Sequence, residues 1–438
     1  MIIGIRKEDK SIWERRVPFI PSDIKNLQEK GISMIVQTSP QRAYADAEFT
    51  EKGIAVQKDL HNCDMIFGIK EIPPDLFEEN KIYVFFAHVI KGQPHNMPML
   101  RAMMKKKVTL VDYERVMDEQ NRRLIFFGRY AGLAGMINSL WALGQRLTAE
   151  GIPNPFRHLK QARHYRDLDA AKIIIGEMAK DIEKNGIPDA IHPLIVGISG
   201  YGNVSKGAQE ILDLLPCEEI SADSLRGGPD KFSLSPRKIY KTVFAEKDCV
   251  QLKEKSTESP GIFDLADYYR EGKKKYENRF GQYADYLTLL VNCVYWDNRY
   301  PRLLTKEMCR ELWAGGKQPR LRVIGDISCD PEGAIECTVK ATDPGNPVYV
   351  YEPPDGEIRY GFQGQGPVIM AVDILPTELP RESSAYFSNV LKDFVPALAA
   401  ADFSLSYEEL ALPPELKKAV ILYRGELIGE YEYIRDFL

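Results

Sequence analysis

The chain has 438 residues, of which 44% are hydrophobic and 28% charged, and a net charge of −5. That length exceeds one ordinary core and predicts two domains, and the composition is that of a globular protein rather than a disordered one. The acidic balance excludes a general nucleic-acid role, and the short lysine runs at 105–107 and 273–275 read as solvated faces.

The N-terminus, MIIGIRKEDK, carries charge at once and has no apolar signal core. The longest nearly apolar stretch, 286–296, falls short of the roughly 20 residues that span a bilayer. Seven cysteines are scattered, odd in number and without a CxxC pair. That pattern indicates neither a zinc site nor a disulfide framework. A cytoplasmic enzyme with reduced thiols, no metal and no membrane partner is the expectation.

Over the first 120 residues or so, short β-rich runs at 2–5, 33–37, 64–70, 83–88 and 108–113 alternate with amphipathic stretches such as 21–30 and 97–106. This alternation predicts an α/β fold with a parallel sheet. Residues 129–147, RYAGLAGMINSLWALGQRL, predict a long helix whose small residues let another backbone approach closely. Residues 148–169 read as linker and 170–185 as helix. A second alternating unit starts at Pro193, with strands expected at 194–198, 218–221, 287–294 and 321–327. The polar stretch 225–281 yields no clear pattern.

The strongest motif is PLIVGISGYGNVSKGA, residues 193–208. An apolar strand leads into Gly200-x-Gly202, and Asn203 and Val204 open a helix running to about 214. Glycine suits that turn because a pyrophosphate must sit against bare backbone N–H groups at the helix N-terminus. The third glycine of the dinucleotide fingerprint is replaced by Ser205, with Gly207 two positions on. A ribose-binding residue belongs about 20 residues further along. Glu218, Glu219, Asp223 and Arg226 all lie near; an acid favours NAD and an arginine NADP, and the choice stays open.

Dinucleotide-dependent chemistry on a small acid requires a cation for a carboxylate, a proton-transfer group and a hydride source. Arginine presents a planar fork to carboxylates, a desolvated lysine can act as a base, and histidine relays protons near neutrality. Arg16 follows the first strand, Lys70 and Glu71 end the third, His88 ends the fourth, and Asp112 and Glu114 end the fifth. Ligands of open α/β sheets bind at such strand ends, although charged residues also cap strands there with no further role. Asp326 and Asp330 end a strand of the second unit, where Asp also serves as a plain turn residue.

The stretches GIRKEDKSIWERRVPF, FFAHVIKGQ, VDYERV, FFGRYAGLAGMIN, GNVSKGAQ, YWDNRYPRLLT, GDISCDPEGAIECT and VDILPTELPRE run in order along the chain. On them it resembles the lysine–ketoglutarate reductase type of saccharopine dehydrogenase, in the alanine dehydrogenase and saccharopine dehydrogenase family. The resemblance implies two Rossmann-like domains with parallel sheets and an active-site cleft between them. The substrate domain would comprise 1–135 plus about 330–438, and the dinucleotide domain about 136–329. It implies condensation of L-lysine with 2-oxoglutarate and reduction of the imine to saccharopine, with NADPH, or alternatively NADH, as the hydride source.

By the same resemblance Lys70, His88 and Asp330 would be catalytic, Arg16 and Arg123 would hold substrate carboxylates, and Glu71 and Glu114, also at the substrate site, would tune the lysine. Gly200, Gly202, Asn203, Val204 and Asp326 would hold the coenzyme. A separate saccharopine-oxidising enzyme is an implied partner, and the oligomeric state stays open. Two other readings are an opine-type or alanine-dehydrogenase-like reductase with another substrate pair, and a nucleotide-binding relative without catalysis. The joint presence of Arg16, Lys70, His88 and Asp330 speaks against the last.

Overall fold

The computed structural model describes residues 1–228, 233–253, 263–316 and 318–438. The chain forms two compact units, one from Met1–Phe127 with Pro380–Leu438 and one from Gly128–Leu379.

The first unit is built on an eight-stranded sheet. Its strands are β1 (Ile2–Ile5), β2 (Ser33–Gln37), β3 (Ala55–Gln57), β4 (Met65–Phe67), β5 (Ile82–Phe85) and β6 (Thr109–Asp112), with β17 (Val420–Tyr423) and β18 (Glu426–Leu427) from the C-terminal segment. The spatial order is β3-β2-β1-β4-β5-β6-β17-β18, and β1 to β6 are parallel. β17 and β18 are antiparallel, so the sheet is mixed at one edge rather than parallel throughout. β4, β5, β6 and β17 are buried along their whole lengths. Strands covered on both faces need continuous apolar side chains, which is how MIF, IYVF and VILY read. Chain order reverses between β1 and β4, and the carboxyl ends of strands beside such a switch point form a crevice for ligands.

The second unit carries β7 (Ile195–Ser199), β8 (Cys217–Glu219), β9 (Ile239–Phe244), β12 (Leu289–Asn292), β13 (Val323–Asp326), β14 (Val348–Tyr351), β15 (Ile358–Tyr360) and β16 (Val368–Met370). Their order is β15-β14-β16-β13-β12-β7-β9-β8. β14 runs antiparallel to both of its neighbours and the other pairs are parallel, so this sheet too is mixed. β10 (Val250–Leu252) and β11 (Tyr276–Asn278) form a separate two-stranded ribbon. One expectation needs correction here, and one unplaced stretch finds its place. Residues 330–379, assigned from sequence to the first unit, instead complete the second sheet as β14 to β16, because Val348–Tyr351 and Val368–Met370 bury every side chain there. The stretch 225–281 supplies β9, which lies beside β7 and pushes β8 to the sheet edge; part of that stretch lies outside the described residues.

The long helix Gly128–Ala149 packs on the helix Asn203–Leu212 through glycines. A Cβ on Gly132 would overlap the Val204 carbonyl, and one on Gly207 would overlap the Arg129 carbonyl. The small-residue stripe of the sequence thus sets how closely two backbones approach.

Candidate active site

In the first unit the sheet's carboxyl edge is shaped by carboxylates that replace ladder hydrogen bonds. β4 ends at Phe67 because the next free amides, of Ile69 and Lys70, donate to the two oxygens of Glu8 at 2.8 and 3.0 Å. β5 ends at Phe85. The Phe86 amide donates to the Ile69 carbonyl at 3.0 Å, and the Ala87 amide to Asp112 Oδ2 at 3.3 Å. His88 then takes the left-handed conformation, with φ +49, which a non-glycine residue adopts only when its surroundings hold it. These departures shorten the strands expected at 64–70 and 83–88, and they bring Lys70, Glu71 and His88 together.

His88 Nδ1 lies 2.8 Å from Glu71 Oε1, and its ring stacks on Phe86 with centroids 5.9 Å apart. The other Glu71 oxygen accepts from Lys10 Nζ at 2.6 Å. Burial alone would raise the Glu71 carboxyl, but hydrogen bonds and charge from His88 and Lys10 outweigh it and hold the group well below the usual carboxylate range. The carboxylate therefore stays ionised and keeps the imidazole proton on Nδ1, leaving Nε2 for a substrate. Lys70 is half-buried. Burial first, and the positive charge of Arg16 second, lower its pKa from the ordinary lysine value. A lysine in such a place can give and take a proton at lower pH than a free one.

Arg16 is only 4% exposed. Its guanidinium lies 4.2 Å from the centroid of the Phe127 ring, and it donates to both oxygens of Glu14, Nε at 2.8 Å and Nη2 at 2.6 Å. One edge of the fork expected to face substrate is thus taken by Glu14. Arg123 pairs with Glu114, and the Glu114 amide donates to Asp112 Oδ1 at 2.8 Å. Asp112 is fully buried, and burial with the nearby Glu114 charge pushes it up to about 7. Glu8 was missed by sequence reasoning. It looks like one more charge in the run RKEDK, yet it is 6% exposed, braces the Lys70 backbone and is pushed up to about 7 by burial.

The second unit holds the glycine loop. Gly200 has φ +87, and its amide donates to the Phe244 carbonyl of β9 at 2.8 Å. Gly202 precedes the helix Asn203–Leu212 as its cap residue, with no side chain capping the helix amides and open space where a Cβ would stand. Uncapped N–H groups facing open space are what a pyrophosphate needs, so these residues fit a dinucleotide. Ser205 is fully buried and its hydroxyl accepts from Gln209 Nε2 at 3.0 Å. It takes the packing place of the missing glycine.

Asp326 sits differently from the coenzyme-contacting place expected of it. It is 1% exposed and accepts from Asn292 Nδ2 at 2.8 Å, Thr338 Oγ1 at 2.6 Å and the Cys329 amide at 3.1 Å. Burial, only partly offset by these donors, pushes it up to about 6. Its contacts tie β12 and β13 to the loop that presents the exposed Asp330.

Residues 4–134 match the family model described as "Alanine dehydrogenase/PNT, N-terminal domain". The chain is 34% identical to "Alpha-aminoadipic semialdehyde synthase, mitochondrial" of Bos taurus over 447 residues, covering 99% of this chain and 47% of that protein. It therefore spans about half the length of that relative. It is 26% identical to "Saccharopine dehydrogenase [NAD(+), L-lysine-forming]" of Emericella nidulans over 404 residues, covering 89% of this chain and 90% of that protein. Among solved structures an L-alanine dehydrogenase shares the fold, with a TM-score of 0.59 at 17% identity and full coverage of both chains.

Proposed function

We propose, for a chain that belongs to the alanine dehydrogenase and saccharopine dehydrogenase family, that it is a nicotinamide-dependent reductase joining L-lysine to 2-oxoglutarate as saccharopine, reversibly. The observation that carries this reading is the juxtaposition of a desolvated Lys70 with the hydrogen-bonded Glu71–His88 pair at the carboxyl edge of one sheet. Forming the imine moves protons at the attacking amine and at the departing hydroxyl. Neutral Lys70 would accept the proton that the ε-amine sheds on attack and return it to the former keto oxygen, giving the carbinolamine hydroxyl. His88 protonated on both ring nitrogens would add its Nε2 proton to that hydroxyl, which leaves as water, while the ring keeps its Nδ1 proton against Glu71. Arg123 and the unpaired edge of Arg16 would anchor substrate carboxylates, and Glu114 would orient Arg123.

When bound, the coenzyme supplies the hydride that reduces the imine carbon. Gly200, Gly202, Asn203 and Val204 would hold its pyrophosphate, and Asp330 would face the nicotinamide. Asp326 would act by fixing the Asp330 loop. The resemblance points to NADPH, with NADH as the alternative, and the scattered cysteines without a CxxC pair support a cytoplasmic setting. Saccharopine formed here would be the substrate of a saccharopine-oxidising activity.

The test follows loss of reduced-coenzyme absorbance with L-lysine plus 2-oxoglutarate, using NADPH and NADH in parallel. Turnover that needs both substrates is expected. Turnover with pyruvate and ammonia but not with lysine would move the assignment to an alanine-dehydrogenase-like activity.

A further inference from the structure

The sheet order of the second unit relocates the residue that meets the adenosine ribose. In a dinucleotide fold that residue ends the strand lying directly beside the glycine-loop strand. The chain visits β8 next, which is why Glu218, Glu219, Asp223 and Arg226 looked eligible from spacing. In space β9 lies beside β7, and β8 lies one strand further out. The β8-side residues are also engaged with one another or with β9-side cations. Glu218 pairs with Lys238 at 2.5 Å, Glu219 with Lys241 at 3.8 Å and Asp223 with Arg226 at 2.9 Å.

β9 runs level with β7, pairing Phe244 with Ser199, and the Gly200 amide is tied to the Phe244 carbonyl. Two residues on, Glu246 opens a short helical turn at the strand's carboxyl end. It is half-buried, and among the described residues no cation pairs with it. Its Oε1 accepts from Tyr269 Oη at 2.6 Å and lies 3.5 Å from the hydroxyl of Tyr201, the residue between the two glycines. Both tyrosine rings are about half exposed. One carboxylate oxygen is thus fixed toward the loop while Oε2 keeps its accepting capacity.

We propose that Glu246 is the ribose-recognising residue of this coenzyme site, accepting from the ribose hydroxyls and selecting NAD(H) over NADP(H). A carboxylate accepts hydrogen bonds from a 2′-hydroxyl, but a 2′-phosphate offers it only like charge and no compensating donor. This reverses the coenzyme expected from the resemblance, and it rests on the glycine loop holding a nicotinamide dinucleotide as proposed above.

The experiment measures dissociation constants of NADH and NADPH for the whole protein by coenzyme fluorescence, without substrates. Displacement of bound NADH by 5′-AMP and by 2′-AMP is measured alongside. The wild-type protein should bind NADH at least tenfold more tightly than NADPH, and 5′-AMP should displace better than 2′-AMP. Glu246→Gln should weaken NADH and tighten NADPH until the two differ less than threefold. A wild-type preference for NADPH, or a ratio untouched in Glu246→Gln, would overturn the assignment while leaving the reductase reading in place. A folded wild-type protein that binds neither coenzyme would overturn the coenzyme site itself. If Glu246→Gln fails to fold, the wild-type ratio and the two AMP isomers still decide.

Discussion

Burial and Arg16 both oppose a charge on Lys70, so one side chain links chemistry and stability. With the folded pKa below the unfolded value of about 10.4, the fold disfavours the ammonium form. Stability from this group rises with pH between the two values. Lys70→Met should cut turnover about a hundredfold or more, leave coenzyme affinity unchanged and raise Tm slightly at pH 7. Wild-type turnover in that variant would remove Lys70 from the proton transfers. The wild-type rate should also show a limb below the free-lysine range that the variant lacks, read from kcat/KM against pH. Lys70 and His88 were legible in the sequence because each ends a short apolar run. Glu8 was not, because its partners are backbone amides some sixty residues away, and no local pattern records them.

Two glycines near the phosphate loop separate binding from folding at the scale of elements. Gly202 has open space at its missing Cβ, whereas Gly207 is pressed against the Arg129 carbonyl. Gly202→Ala should therefore fold with nearly unchanged Tm but lose coenzyme affinity, because its methyl enters the space left for phosphate. Gly207→Val should force the two helices apart at a cost of about 1–3 kcal/mol or more. Thermal shift with and without coenzyme distinguishes the two, and equal destabilisation by both would contradict the packing described. The glycine loop and both helices could be read from sequence because breakers and periodicity mark them locally. β9 was overlooked although IYKTVF is rich in β-formers, since the polar surroundings hid a six-residue strand. Its insertion between β7 and β8 is a matter of pairing, which spacing along the chain does not encode.

Across the whole molecule, burial raises an unusual set of carboxyls. Glu8, Asp112 and Glu378 are pushed up to about 7 and Asp326 to about 6. Unfolded, such groups ionise near pH 4. Between those values the unfolded chain releases protons that the fold retains, so stability falls as pH rises from about 4 to 7 and then levels. Glu71 acts in the opposite sense, but its loss comes at pH below the usual carboxylate range. Tm should be higher at pH 5.5 than at pH 8 in matched ionic strength; a higher Tm at pH 8 would mean these groups are ionised in the fold. The α/β class was plain from alternating patterns. The limits of the units were not, because a buried strand such as Val348–Tyr351 carries no mark of which sheet it joins.

The first unit is assembled from segments that leave the ribosome far apart in time. β6 gains its neighbour β17 only when residues 420–423 emerge, and the Val17 and Ile20 amides receive their acceptors only with Ser384 and Ser388. Everything synthesised between belongs to the other unit, whose segment is continuous. The unit made first must therefore mature last, holding β6 as an uncovered edge throughout elongation. Nascent chains stalled at a length that has just released residue 380 from the ribosome should protect the second unit from protease while the first is still cleaved.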